Sequence, residues 1–107
     1  MIAIKKNTDN TYQFDLKTTA GQTLLKSSLF PSESEVKNVV AKLPPLSMRQ
    51  TSFERKTNHN GMFHFHLKDT NGVVLGSSQL YRSEAGMENG IKNLRKRISL
   101  ISQAKNL

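Results

Sequence analysis

The chain holds 107 residues, with 16 lysines and arginines against 8 aspartates and glutamates, a formal charge of +8 and no cysteine. That length supports one domain with its own core, and 36% hydrophobic with 22% charged residues is the composition of a globular chain. The missing cysteine excludes disulfides, a thiol nucleophile and a thiolate zinc site, and no apolar run approaches the ~20 residues that a membrane span needs.

The first residues, MIAIKKNTDNTYQF, turn polar after four positions and lack the apolar stretch of a signal peptide. A soluble, cytoplasmic protein is expected. Ile2 and Ile4 alternate with other residues and predict a first strand. "TDN" is a turn, and Tyr12, Phe14 and Leu16 alternate with Gln13 and Asp15 in a second strand. "TAG" leads to a third strand, with Gly21 able to take a positive φ. Ser32, with Glu35 three residues later, predicts a helix N-cap and capping box. Val36, Val39, Val40 and Leu43 form one helical stripe, and Pro44-Pro45 is expected to end the helix.

The second half follows the same plan. "NHNG" is a turn; Phe63, Phe65 and Leu67 alternate with His64 and His66; "TNG" turns again at Gly72. Ser83 predicts a second N-cap, and Met87, Ile91 and Leu94 a second stripe. Gly90 is expected to let that helix approach the sheet closely. The tail "ISLISQAKNL" reads as a short last strand, with a longer helix as the alternative.

The halves match at a constant offset of 51 residues: Phe65 falls on Phe14, Leu67 on Leu16, Gly72 on Gly21, Ser78 on Ser27 and Leu94 on Leu43. Residues 1–47 and 48–107 therefore read as two copies of one unit. The expected fold is α+β: a single domain with one antiparallel sheet shared by both units and both helices on one face.

Phe63, Phe65, Leu67, Lys68, Asn71 and Gly72, then Ser77 to Tyr81 with Ser83, then Gly90, Ile91 and Leu94, resemble the pattern of the YegP-like family of small bacterial proteins. The first copy departs from it, with Phe30 for the tyrosine and Val39-Val40 for Gly-Ile. The resemblance implies three-strand, helix, strand units in one sheet, with terminal strands exchanged between units. It implies no activity and no functional residues.

His64 and His66 lie two apart on a strand and so share a face, as two ligands of a metal site would. His59 and Asp69 are not placed to complete it. Gln13 and Asp15 occupy the matching positions, which favours an ordinary solvated sheet face. The register expected from Phe53 and Phe65 sets Glu54 opposite His64, a cross-strand pair that needs no metal; a bulge at Gly61 changes that register.

Ser27-Ser28 and Ser77-Ser78 recur in both copies. A tight second hairpin sets Ser77 opposite His64, but no nucleophile-elbow sequence is present. Ser27 and Ser78 are expected to bond locally at the core edge. No phosphate-cradling or dinucleotide motif occurs, so no cofactor is expected.

The densest basic run is Lys92 to Arg97, placed in the last turns of the second helix, where cations complement the helix dipole. Lys92, Arg95 and Lys96 share one flank and Arg97 another. With Lys17 and Lys68, they are candidate contacts to a phosphate backbone. Tyr81 and Phe30 are the candidate stacking residues. The open sheet face, with Leu24, Leu75, Phe30 and Tyr81 on it, is a candidate protein-binding or self-pairing surface. The leading expectation is a non-enzymatic interaction module. Sequence-nonspecific nucleic-acid or polyanion binding is the alternative, and a metal-dependent or hydrolytic activity at His64 and His66 the third.

Overall fold

The computed structural model describes residues 2–105, with side chains described from Ile2 to Ile101. Three strands, β1 (Ile2–Lys6), β2 (Tyr12–Lys17) and β3 (Thr23–Ser27), lead to helix α1 (Glu33–Ser47). A single 3-10 turn, Gln50–Ser52, precedes β4 (Phe53–Thr57), β5 (Phe63–Lys68), β6 (Val74–Ser77) and helix α2 (Glu84–Lys105). All pairings are antiparallel, in one six-stranded sheet of order β1-β2-β3-β6-β5-β4. Both helices cover one face.

Alternation sets what is buried. Phe14, Leu16, Phe65 and Leu67 point from β2 and β5 under the helices and are fully buried. Val36, Val39, Leu43, Met87, Ile91 and Leu94 meet them from above in a single cluster. Full burial of each such side chain stabilises the fold by about 1.5–3 kcal/mol. Gly21 and Gly72 close the second hairpin of each half at φ 89 and 80.

The register slips between Leu16 and Lys17 and between Leu67 and Lys68. Leu24 and Leu75 sit opposite these slips and are buried in the helix-side core. This corrects the expectation that they line the open face, because an irregular ladder breaks the period of two. Phe30 and Tyr81 also leave that face. They bridge to Tyr12 and Phe63 and pack against the core.

Ser32 accepts the Glu35 N–H at 3.2 Å, and Ser83 accepts the Gly86 N–H at 2.9 Å, so both predicted caps form. Pro44 and Pro45 do not end α1, which runs on to Ser47. The last turn is held by other means. Ser47 Oγ donates to the Pro44 carbonyl at 2.8 Å, Arg49 N–H donates to Leu46 O at 3.1 Å, and Leu46 is buried.

The tail is helix, not strand: α2 continues to Lys105, and residues 106–107 lie outside the described residues. The spacing explains it. Ile98 is buried and Ile101 packs on the core, extending the stripe of Met87, Ile91 and Leu94 at intervals of three and four. Leu100, which a strand reading pairs with Ile98, is exposed. No strand follows α2 among the described residues, and terminal strands are not exchanged. β1 pairs with β2, β4 with β5, and the halves join through β3 and β6.

Gly90 serves a different neighbour from the one expected. A Cβ there would stand 2.5 Å from Tyr81 Cζ and closer still to its hydroxyl. The missing side chain makes room for the tyrosine ring. The positions 51 earlier are Phe30 and Val39, a ring without the hydroxyl and a helix residue with a side chain.

Candidate polyanion-binding surfaces

The helix-free sheet face is polar. Successive cross-strand partners make one row over all six strands: Ala3, Asp15, Lys26, Ser77, His66 and Glu54. Lys5 Nζ lies 3.5 Å from Asp15. Glu54 lies 2.9 Å from Lys68 Nζ, 3.7 Å from Lys56 Nζ and 3.6 Å from His66 Nδ1. The Lys68 contact holds the Glu54 carboxyl below its usual range. Burial pushes His66 down, His64 and Lys56 push it further, and Glu54 opposes them.

The histidine register differs from the expected one by two residues. Glu54 faces His66, and Lys56 faces His64. The cause is the β4–β5 turn. Asn58 Oδ1 accepts the N–H groups of Asn60 and Met62 at 2.9 and 3.0 Å and closes a five-residue connection, 58 to 62. The imidazole centroids are 5.4 Å apart. Among the described residues no three His, Cys, Asp or Glu converge to hold a metal. The neighbouring ammonium groups of Lys56 and Lys68 also disfavour a cation.

Ser77 likewise faces His66 rather than His64. Glu54, His66 and Ser77 thus stand in the order acid, base, hydroxyl. The row lacks what acyl transfer needs beside the nucleophile. Ser77 is held in the central ladder opposite Lys26, and the next donor, Ser78 N–H, is given to Phe65 O at 2.9 Å. No free N–H pair remains there for an oxyanion. Ser27 and Ser78 bond locally, as expected. Each accepts a phenylalanine N–H, from Phe14 at 2.8 Å and Phe65 at 3.0 Å, and donates to the carbonyl of the following residue.

The helical layer is different. The run Lys92 to Arg97 lies in the interior of α2, not in its last turns, because the helix continues to Lys105. The helix dipole therefore does not account for it. Arg95 is committed to the fold. Its Nε donates to the Ser47 carbonyl at 2.9 Å, and its guanidinium lies 4.9 Å from the Phe53 ring centroid. It closes the end of α1 that the prolines weaken. Arg55 reaches from β4 to α2 and binds Glu88 with both nitrogens, Nη2 to Oε1 at 3.0 Å and Nε to Oε2. The pairing raises the guanidinium pKa and holds Glu88 down.

Lys92 and Lys96 are exposed. Lys96 and Arg97 line a cleft between α2 and the β2–β3 turn, with Thr18 across from them. Lys17 ends β2, next to Thr18 in the chain. Lys68 belongs to the other end of the sheet, in a cleft with Arg49. The predicted basic residues are thus divided between two places. Lys42 and Arg49, neither of them among the candidate contacts of the sequence, flank a second cleft over the β5–β6 turn. No periodicity joins them, because α1 ends at Ser47 and Arg49 has extended backbone; the fold alone sets them together.

Solved structures define the class of fold. The solution structure of YegP from Escherichia coli, a protein of unknown function, superposes with a TM-score of 0.85 at 33% identity, over 91% of this chain and 84% of that one. A UPF0339 protein from Shewanella oneidensis gives 0.83 at 27% identity, over 89% and 80%. In sequence, the chain is 35% identical to UPF0339 protein YegP of Escherichia coli over 92 residues, 86% of this chain and 84% of the relative. It is 37% identical to UPF0339 protein PA0329 of Pseudomonas aeruginosa over 93 residues, 87% and 84%. A domain of unknown function, DUF1508, matches residues 58–99. The chain belongs to this YegP-like UPF0339 family of bacterial proteins of uncharacterised function.

Proposed function

We propose that the protein is a non-enzymatic cytoplasmic module that binds nucleic acid without sequence preference through its helical layer. The observation that carries this is where the unpaired charge lies. Every carboxylate has work within the fold. Asp15, Glu33, Glu54 and Glu88 pair with cations, Asp9 and Asp69 hold turns, and Glu35 and Glu84 sit in the first turns of the helices. Among the described residues no carboxylate pairs with Lys6, Lys26, Lys42, Arg49, Arg82, Lys92, Lys96 or Arg97. Lys42, Lys92, Lys96 and Arg97 are on the helices, and Arg49 and Arg82 lie two residues beyond a helix end. Like charges left unpaired raise the self-repulsion of the fold, and a phosphate backbone relieves it while releasing counterions.

The non-enzymatic reading rests on the spent hydroxyls of Ser27 and Ser78 and on the missing oxyanion donors beside Ser77. The same proposal includes a tandem build, with residues 1–47 and 48–107 as copies of one unit. Two observations support it: the element order β-β-β-α occurs twice, and Lys26 pairs with Ser77, the position 51 residues later.

Fluorescence anisotropy with single-stranded DNA, duplex DNA and RNA tests the reading. Dissociation constants on the order of 10⁻⁴ to 10⁻⁶ M at physiological salt, tightening steeply as salt falls, are expected. A variant with Lys96→Glu and Arg97→Glu should bind far more weakly. Arg95 is left intact, since its loss would disturb the fold itself. Absence of binding even at low salt would dismiss the proposal.

A further inference from the structure

The two basic clefts are related to each other in a way the sequence hides. One lies between the C-terminal half of α1 and the β5–β6 turn, and it is lined by Lys42, Pro45, Leu46 and Arg49 against Asp69 to Asn71. The other lies between α2 and the β2–β3 turn, lined by Asn93, Lys96, Arg97 and Leu100 against Thr18. Lys42, Pro45, Leu46, Arg49 and Thr18 each stand 51 positions before Asn93, Lys96, Arg97, Leu100 and Asp69. Each helix therefore closes a cleft over the turn of the opposite half. None of the positions 42, 45, 46 and 49 repeats its residue 51 later, yet each cleft holds two cations, one asparagine and a leucine; the second also has Leu24. Lys42 and Arg49 serve in the first, Lys96 and Arg97 in the second. The asparagines are Asn71 and Asn93, and the leucines Leu46 and Leu100.

Resting on the nucleic-acid reading above, we infer that these clefts are twin phosphate-binding sites that engage one nucleic-acid strand at two points. The ligand chemistry fits each cleft. The cations take a phosphate, and the asparagine amide can bond a base edge or sugar hydroxyl; in the second cleft the exposed Leu100 adds an apolar surface for a base, whereas Leu46 is buried beneath the first. β2 and β5 run in opposite directions and stand three strand spacings apart, so their turns are separated by ~20 Å along the strands and ~14 Å across them, ~25 Å in all. A stacked strand advances about 3.4 Å per nucleotide, so roughly seven nucleotides bridge the two clefts. The clefts are not equal. Asp69 places a carboxylate in the first, where Thr18 stands in the second, so the Lys96–Arg97 cleft is the stronger.

Bivalent attachment has a signature that a continuous basic face lacks. The second contact becomes intramolecular once the strand is long enough, and avidity rises by about 10²–10⁴. The test is anisotropy with labelled oligothymidylates of 3, 4, 6, 8 and 12 nucleotides at low salt, on the full chain. A step in affinity near six to eight nucleotides is expected. Lys42→Glu with Arg49→Glu should remove the step and leave the weak short-strand binding in place. Lys96→Glu with Arg97→Glu should remove the step and weaken the short strands as well. Circular dichroism and thermal melting confirm that both variants are folded. A smooth rise with length, and equal partial losses in both variants, would overturn the twin sites while leaving the nucleic-acid reading standing. No binding at any length would overturn both.

Discussion

Leu25 lies over Gly76. A Cβ on Gly76 would stand 3.1 Å from Leu25 Cγ and 3.0 Å from the Lys26 carbonyl oxygen. Position 76 follows position 25 by 51 residues, and the two flank the Lys26–Ser77 pair where the halves of the sheet meet. Space beneath the helices admits one leucine there, and a glycine opposite it resolves the conflict. Gly76→Leu should therefore cost about 1–3 kcal/mol by overpacking, and Leu25→Ala about 2–5 kcal/mol by leaving a cavity. The double variant Leu25→Ala with Gly76→Leu should be more stable than the sum of these losses, by about 0.5–3 kcal/mol. Urea denaturation of the four proteins measures it, and strict additivity would show that the two positions do not share that space.

Tyr81 and Gly90 make a second fitted pair, with a change of sign as its signature. In an isolated helix alanine is favoured over glycine by about 1 kcal/mol. Here Gly90→Ala should destabilise, because the new Cβ meets the Tyr81 ring. In a Tyr81→Ala background the obstruction is gone, and the same Gly90→Ala change should stabilise. Thermal melts of the four combinations decide it. A stabilising Gly90→Ala in the wild type would contradict the packing.

Arg95 separates structural from surface charge within a single run. Arg95→Gln removes the guanidinium from the Ser47 carbonyl and from the Phe53 ring, and should cost about 1.5–3 kcal/mol. Lys92→Gln, at an exposed position three residues earlier, should stay within about 0.5 kcal/mol of wild type. Equal effects in denaturant titrations would place Arg95 among the surface cations after all.

The histidine row predicts how stability follows pH. Burial, His64 and Lys56 hold His66 below the usual imidazole range, against the pull of Glu54. Between that lowered value and the unfolded value near 6.5, the unfolded chain binds more protons than the folded one. Stability from this group is therefore full at about pH 7.5 and falls as the pH is lowered through that window. Glu54 acts in a separate range, since its lowered pKa makes its contribution disappear below about pH 4.5. His66→Gln should flatten the decline that sets in below about pH 7 in urea titrations. An unchanged decline would assign it to another group.

What the sequence made legible follows its strongest periodicities. Phe14, Leu16, Phe65 and Leu67 announced β2 and β5, and Ser32 and Ser83 announced the helix starts, because these signals are local. The face of Leu24 and Leu75 is not legible in the sequence, because a ladder slip is decided by the neighbouring strand. The histidine partners were displaced by two because Asn58 lengthens a turn whose closure depends on its side chain. Pro44 and Pro45 are strong stop signals, overridden by contacts from Ser47 and from Arg95, 48 residues further along the chain. The tail is helix rather than strand because Met87, Ile91, Leu94, Ile98 and Ile101 carry the helical spacing into it. Of the candidate site, the cations of α2 were visible as a run. Lys42 and Arg49 were not, since only the fold brings them over the β5–β6 turn.

On the proposed function, the helical layer and not the open sheet face meets nucleic acid. An NMR titration of the isotope-labelled protein with a twelve-nucleotide strand tests it most directly. Salt-sensitive shifts are expected at Lys42, Arg49, Asn71, Thr18, Asn93, Lys96 and Arg97, with the row Asp15, Lys26, Ser77, His66 and Glu54 unmoved. Shifts confined to that row, or none at all, would contradict it.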